Sequence, residues 1–155
     1  MSETLKARLR SDMTAAMKAR DVLRTSTIRM LMASVQTEEV SGKQARELTD
    51  DEVLEVLAKE SKKRGEAAEI YTENGRGELA AKERAEAQII DEYLPTPLTD
   101  GELVDVVDTA IAQVAEDLGE RPSVRQMGQV MKAASAIAGS KADGKRLSHA
   151  VKSRL

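Results

Sequence analysis

The chain contains no cysteine, no phenylalanine and no tryptophan. Without a thiol there is no disulfide, thiolate zinc site, iron–sulfur cluster or cysteine nucleophile. The only aromatic residues are Tyr71 and Tyr93. A fold that reads nucleic acid by stacking bases on aromatic platforms is therefore nearly excluded. His149, the single histidine, cannot build a His-rich metal site. No apolar run approaches the roughly 18 residues of a membrane span. The N-terminal stretch MSETLKARLR lacks the apolar core of a secretory signal. These absences predict a soluble cytoplasmic protein with no membrane partner and no cofactor.

What is present is a chain of 155 residues, 41% hydrophobic and 33% charged. That length suits one domain or two small helical ones, and the apolar fraction is too high for disorder. Apolar residues recur three and four apart along nearly the whole length, the period of helices with one buried face. Leu5, Leu9, Met13, Ala16 and Met17 predict a first helix from about Ser2 to Ala19. Asp21 caps a second, with Leu23, Ile28, Leu31, Met32 and Val35 inward, running to about Val40. Thr49 and Glu52 form a capping box ahead of a long third helix that ends near Asn74-Gly75. Leu79, Ala80, Ala87, Ile90 and Leu94 mark a fourth, read as charged along its exposed face.

Pro95-Thr96-Pro97 interrupts this pattern, because proline lacks an amide donor and holds the preceding residue extended. The expected organisation is all-α: a four-helix domain over 1–94, a Pro-rich hinge over 95–97, and a three-helix tail over 98–155. In the tail, Thr99 and Glu102 make a second capping box, and Leu103 to Leu118 give a strongly apolar fifth helix stopped by Gly119. Pro122 is expected to start a sixth helix, with Val124, Met127, Val130, Met131, Ala134 and Ile137 inward. Asp143 caps the last, with Leu147, Val151 and Leu155 inward.

Net charge is -3 but unevenly placed. Between Thr96 and Glu120 there are seven acidic residues and no basic one, a charge of -7. Between Arg121 and Leu155 eight basic residues face Asp143 alone, a charge of +7. The basic end is suited to phosphate, or else packs against the acidic helix and is neutralised by it. Lys141, Lys145 and Arg146 surround the start of the last helix, where free amides and the helix dipole favour an anion, although an Asp143 cap would occupy those amides. On the third helix, Glu60 and Arg64 interrupt the apolar stripe beside the cluster Lys62-Lys63-Arg64. An i,i+4 ion pair with packed stems accounts for them, or a ligand-binding groove.

Catalytic patterns are weak. No paired carboxylates are nominated as an acid–base dyad, and Ser148 points to a different face from His149, which reads as a surface residue. Gly139 to Lys145 imitates the start of a phosphate-binding loop, but Arg146 stands where Ser or Thr is required and no strand precedes it. Gly128, inside the sixth helix, costs about 1 kcal/mol relative to alanine and suggests a close helix approach.

A set of short motifs in fixed order gives the chain a family resemblance. They are Ile28-Arg29-Met30-Leu31, Leu48-Thr49-Asp50-Asp51-Glu52-Val53, Lys62-Lys63-Arg64, Tyr71 with Gly75-Arg76, Leu79-Ala80-Ala81-Lys82-Glu83, Glu92-Tyr93-Leu94-Pro95, Met127-Gly128-Gln129-Val130-Met131 and Ala142-Asp143-Gly144-Lys145. Over essentially its whole length the chain resembles the YqeY family, free-standing relatives of the C-terminal domain of the GatB subunit of tRNA-dependent amidotransferase. The resemblance implies an all-helical protein with a three-helix tail. In GatB the related domain helps to hold tRNA, while the catalytic sites lie elsewhere in the complex. Ser140 and Lys132 depart from the expected pattern, where glycine is common.

Three functions stay open. The first is a non-catalytic tRNA-binding or adaptor protein that presents Lys62, Lys63, Arg64, Arg76, Lys141, Lys145 and Arg146 to phosphates, with no DNA specificity. The second, implied by the resemblance, is an accessory component with carbon–nitrogen ligase activity that uses glutamine as amide donor and works only within an amidotransferase or tRNA synthetase complex. The third is a protein-interaction module without RNA binding.

Overall fold

A computed structural model describes residues 3–155. It is all-α, with seven α-helices and no strand among the described residues. The expected start of the first helix at Ser2 lies outside those residues. Thr4 is extended and its hydroxyl accepts from the Ala7 amide, so α1 begins one residue later, as Leu5–Lys18. Two compact units divide the chain, Met1–Leu94 (unit 1) and Pro95–Leu155 (unit 2).

Unit 1 consists of two helical hairpins. The first pairs α1 with α2 (Val22–Glu39), which Asp21 caps by accepting from the Arg24 amide. The second pairs α3 (Asp50–Glu73) with α4 (Gly77–Asp91). Thr49 and Glu52 form the expected capping box at the start of α3. Its end is sealed by Gly75, which takes a left-handed φ of +72 while the Gly75 and Arg76 amides donate to the Thr72 and Tyr71 carbonyls at 3.2 and 2.7 Å. That backbone reversal favours glycine, which has no Cβ to clash. Leu9, Ile28, Leu31, Val53, Leu57 and Ile90 are fully buried at the centre. Asp50 ties the hairpins by accepting from the Leu5 amide at 3.0 Å, while Glu39 accepts from Lys6 within the first hairpin at 2.7 Å and from the Leu48 amide ahead of the second at 3.0 Å.

Unit 2 is a three-helix bundle of α5 (Asp100–Leu118), α6 (Met127–Ala138) and α7 (Gly144–Arg154). Its core is Leu103, Val107, Ala110, Ile111 and Val114 from α5, Val130 and Ala134 from α6, and Leu147 and Val151 from α7. A second capping box, Thr99 with Glu102, opens α5, and Gly119 at φ +79 ends it. The Leu98 amide donates to the Lys141 carbonyl at 2.9 Å and closes the bundle at one end.

The sixth helix differs from expectation. Pro122 precedes it, Ser123 caps a 3₁₀ turn over Val124–Gln126, and α6 starts only at Met127. The inward positions then run 130, 134, 138 at a strict four-residue step, which turns Ile137 to the flank with 41% of its surface exposed and leaves Val124 69% exposed in the turn. Gly128 does not mark the expected close helix approach, because a Cβ there would meet nothing within 4 Å. It occupies the second position of α6, where the helix faces solvent, so no neighbour requires glycine.

Candidate nucleic-acid interface

In unit 1 the four basic residues proposed from the sequence do not form one surface. Lys62 and Lys63 are exposed near the middle of α3, and Lys63 lies 3.5 Å from Glu60. Arg76 is exposed beyond the far end of that helix, about 20 Å away at 1.5 Å per residue. Arg64 is removed from the candidate set. Its side chain is 5% exposed, its Nε donates to Glu86 at 3.0 Å, and its Nη1 donates to the Glu60 carboxylate at 2.8 Å and the Glu60 carbonyl at 3.1 Å. A guanidinium held by two carboxylates inside a helical unit has no charge left to offer a phosphate.

The sequence pointed to the Glu60–Arg64 pair but not to Glu86, which lies on the face of α4 read as exposed. Burial pushes the Glu60 carboxyl up. The hydrogen bond from Arg64 and the charges of Lys63 and Arg64 more than reverse this, leaving it below its usual value. A separate polar cluster joins α1 to the end of α4: Tyr93 donates to Asp12 at 2.5 Å, and the Arg8 guanidinium lies 4.7 Å from the Tyr93 ring centre. Burial and the hydrogen bond to Asp12 push the Tyr93 hydroxyl well above the ordinary tyrosine range.

In unit 2 the −7 and +7 stretches partly neutralise each other. Arg146 donates to Asp100 at 2.9 Å, and Arg154 makes a two-pronged contact with Asp108 at 2.9 and 2.8 Å. Asp143 caps α7 by accepting from the Arg146 amide at 2.7 Å, which takes that amide away from an outside anion. Lys141 is exposed and forms no ion pair among the described residues. The Thr99 amide and hydroxyl, with the Lys141 charge adding, hold the Glu102 carboxyl below its usual range.

What remains is a stripe on α7. Lys145, His149 and Lys152 are exposed and stand at i, i+4 and i+7, one face of the helix. None of the three forms an ion pair among the described residues. With Ser148, Arg146 and the Asp143 cap they line a shallow depression. The sequence reading missed His149 and Lys152 as site residues, although helical spacing from Lys145 was enough to find them. No group of three or more His, Asp or Glu side chains is arranged to hold a metal ion among the described residues.

A family model described as Yqey-like protein matches residues 6–155, which takes in both units. The chain belongs to the YqeY family. Among curated proteins, this YqeY chain is 30% identical over 125 residues to altered inheritance of mitochondria protein 41 of Kluyveromyces lactis, covering 80% of the chain and 65% of that protein. The proteins of the same name from Vanderwaltozyma polyspora and Meyerozyma guilliermondii are 27% and 28% identical, each covering 79% of the chain and 64% of the relative. The match thus spans just under two thirds of these relatives' own length.

Their names carry the designation mitochondrial, which overturns the expectation of a cytoplasmic protein. That expectation rested on the lack of an apolar secretory core. Organellar transit peptides are amphipathic and Arg-rich, so the lack of such a core says nothing about them.

Proposed function

We propose that this YqeY chain is a non-catalytic adaptor whose tail unit holds tRNA through its phosphates. The observation that carries the reading is the exposed stripe of Lys145, His149 and Lys152, whose lysine charges are left free after Arg146 and Arg154 are taken up by α5. Lysine heads on one helix face suit a phosphate backbone as point charges and carry no base information. Both tyrosines lie in unit 1, so the tail has no ring on which to stack a base, and its contacts are sequence-tolerant.

The test is a titration of the purified full chain against bulk tRNA at two salt concentrations, with duplex DNA as control. Binding that prefers tRNA and weakens with salt is expected, and K145E with K152E should abolish it while the helical circular dichroism is unchanged. In a single variant, removing one lysine–phosphate interaction flattens the log–log salt slope by about 0.7 to 0.9. Equal tRNA affinity of the double variant and the parent would overturn the assignment to α7.

A further inference from the structure

Unit 1 carries an apolar groove between α1 and α2 that the RNA reading does not use. It encloses about 500 Å³ over a floor that includes Leu9, Met13, Met32 and Ala33. From Lys6 to Met13 it runs about 10 Å, two helical turns. Lys6 and Glu39 neutralise each other at one end, 2.7 Å apart. Arg10 on the α1 rim and Arg29 on the α2 rim are exposed, and neither forms an ion pair among the described residues.

An apolar floor between two unpaired guanidiniums is complementary to a helix whose apolar stripe is flanked by carboxylates. The two methionines suit that role, because an unbranched thioether side chain repacks around different partner residues. Nucleic acid fits poorly, since no aromatic residue lies in the groove to stack a base and phosphates would leave the floor uncovered. We propose that this groove docks an acidic amphipathic helix of a partner protein, with its apolar stripe over Met13 and Met32 and its carboxylates on Arg10 and Arg29. The proposal rests on unit 1 alone and is independent of the tail's RNA binding.

The probe is a labelled designed helical peptide with leucines at helical spacing flanked by glutamates, titrated by anisotropy into the full chain at low salt. Its control is the same peptide with lysine for every glutamate. The acidic peptide should bind at least ~10-fold more tightly than its basic twin, a difference of about 1.4 kcal/mol. R10E with R29E should invert that order, and Ala33→Arg, an exposed change in the floor, should weaken both peptides. Equal affinity of the twins, or an order unchanged by the double reversal, would overturn the proposal. So would displacement of the peptide by tRNA, or self-association of the chain that Ala33→Arg abolishes, because each assigns the groove to a different occupant.

Discussion

Unit 1 buries a guanidinium between two carboxylates, whereas unit 2 keeps its ion pairs outside a core with no buried charged side chain. The contrast separates two uses of charge that a count of basic residues merges. Lys62-Lys63-Arg64 reads as a basic patch, but its third member is an interior part. The tail reads as equally basic, yet Arg146 and Arg154 are spent on exposed contacts to Asp100 and Asp108, while Lys145 and Lys152 on the same helix form no ion pair among the described residues. Exposed pairs of this kind contribute between about 0 and 1 kcal/mol, whereas breaking a buried pair costs several times more.

The largest predicted effect comes from breaking the buried side of that comparison. Arg64→Leu leaves Glu86 unpaired and Glu60 with only the exposed Lys63, and should cost unit 1 about 3–5 kcal/mol. Urea unfolding followed through tyrosine near-ultraviolet dichroism reads unit 1 selectively, because Tyr71 and Tyr93 both lie there. Removing all three charges in one chain, with Arg64→Met, Glu60→Gln and Glu86→Leu, should recover most of the loss. If the triple variant is no more stable than Arg64→Leu alone, the cost is one of packing rather than of uncompensated charge.

Acid should separate the units next. In unit 1 three carboxyls lie below their usual value: Glu39 through its hydrogen bond from Lys6, Glu52 through the Thr49 amide, and Glu60 because Arg64 and Lys63 outweigh its burial. In unit 2 the Thr99 amide holds Glu102 below its usual value. A lowered folded-state value means that the carboxylate's stabilisation is fully present above the ordinary value of 4.5 and is lost as pH falls through the folded-state value. Unit 1 should therefore lose its tyrosine signal at a higher pH than the helical signal of the whole chain is lost. Coincident acid transitions would show that the buried ion triad adds no particular acid sensitivity.

A smaller effect is expected from the exposed side. Arg154→Ala removes a two-pronged contact with Asp108 whose partners are each 44% exposed, and should cost no more than about 1 kcal/mol in thermal or urea unfolding followed at 222 nm. A loss as large as that of Arg64→Leu would erase the distinction between the units.

Local signals in the sequence are readable where the physics is local. The Thr49–Glu52 and Thr99–Glu102 boxes and the Asp21 and Asp143 caps each join residues three apart, and all four form. The Glu60–Arg64 pair is also local. Glu86 is not legible, because it meets Arg64 across 22 residues of sequence and only the hairpin of α3 and α4 brings them together. Gly128 misleads for the opposite reason: its propensity cost is real, but it lies in open space at the start of α6, so no packing need stands behind it. The α7 stripe is half legible, because nearness to the helix start singles out Lys145, whereas His149 and Lys152 emerge only when the face is followed along the helix.

The smallest predicted effect compares two helix ends within unit 1. At the end of α3 the left-handed position is Gly75. At the end of α1 the same hydrogen-bond pattern recurs, the Arg20 amide donating to the Met17 carbonyl at 3.1 Å and the Asp21 amide to the Ala16 carbonyl at 2.9 Å, but the residue at φ +59 is Arg20. A side chain in that conformation costs about 1–2 kcal/mol through its Cβ, while glycine gives back roughly 0.5–1 kcal/mol by its freedom in the unfolded chain. Arg20→Gly should therefore stabilise unit 1, and Gly75→Ala destabilise it, each by about 0.5 kcal/mol. Both shifts are measurable as urea midpoints of the tyrosine signal. If Arg20→Gly instead lowers the midpoint, the arginine side chain stabilises the hairpin by more than its backbone strain costs, and the equivalence of the two helix ends fails.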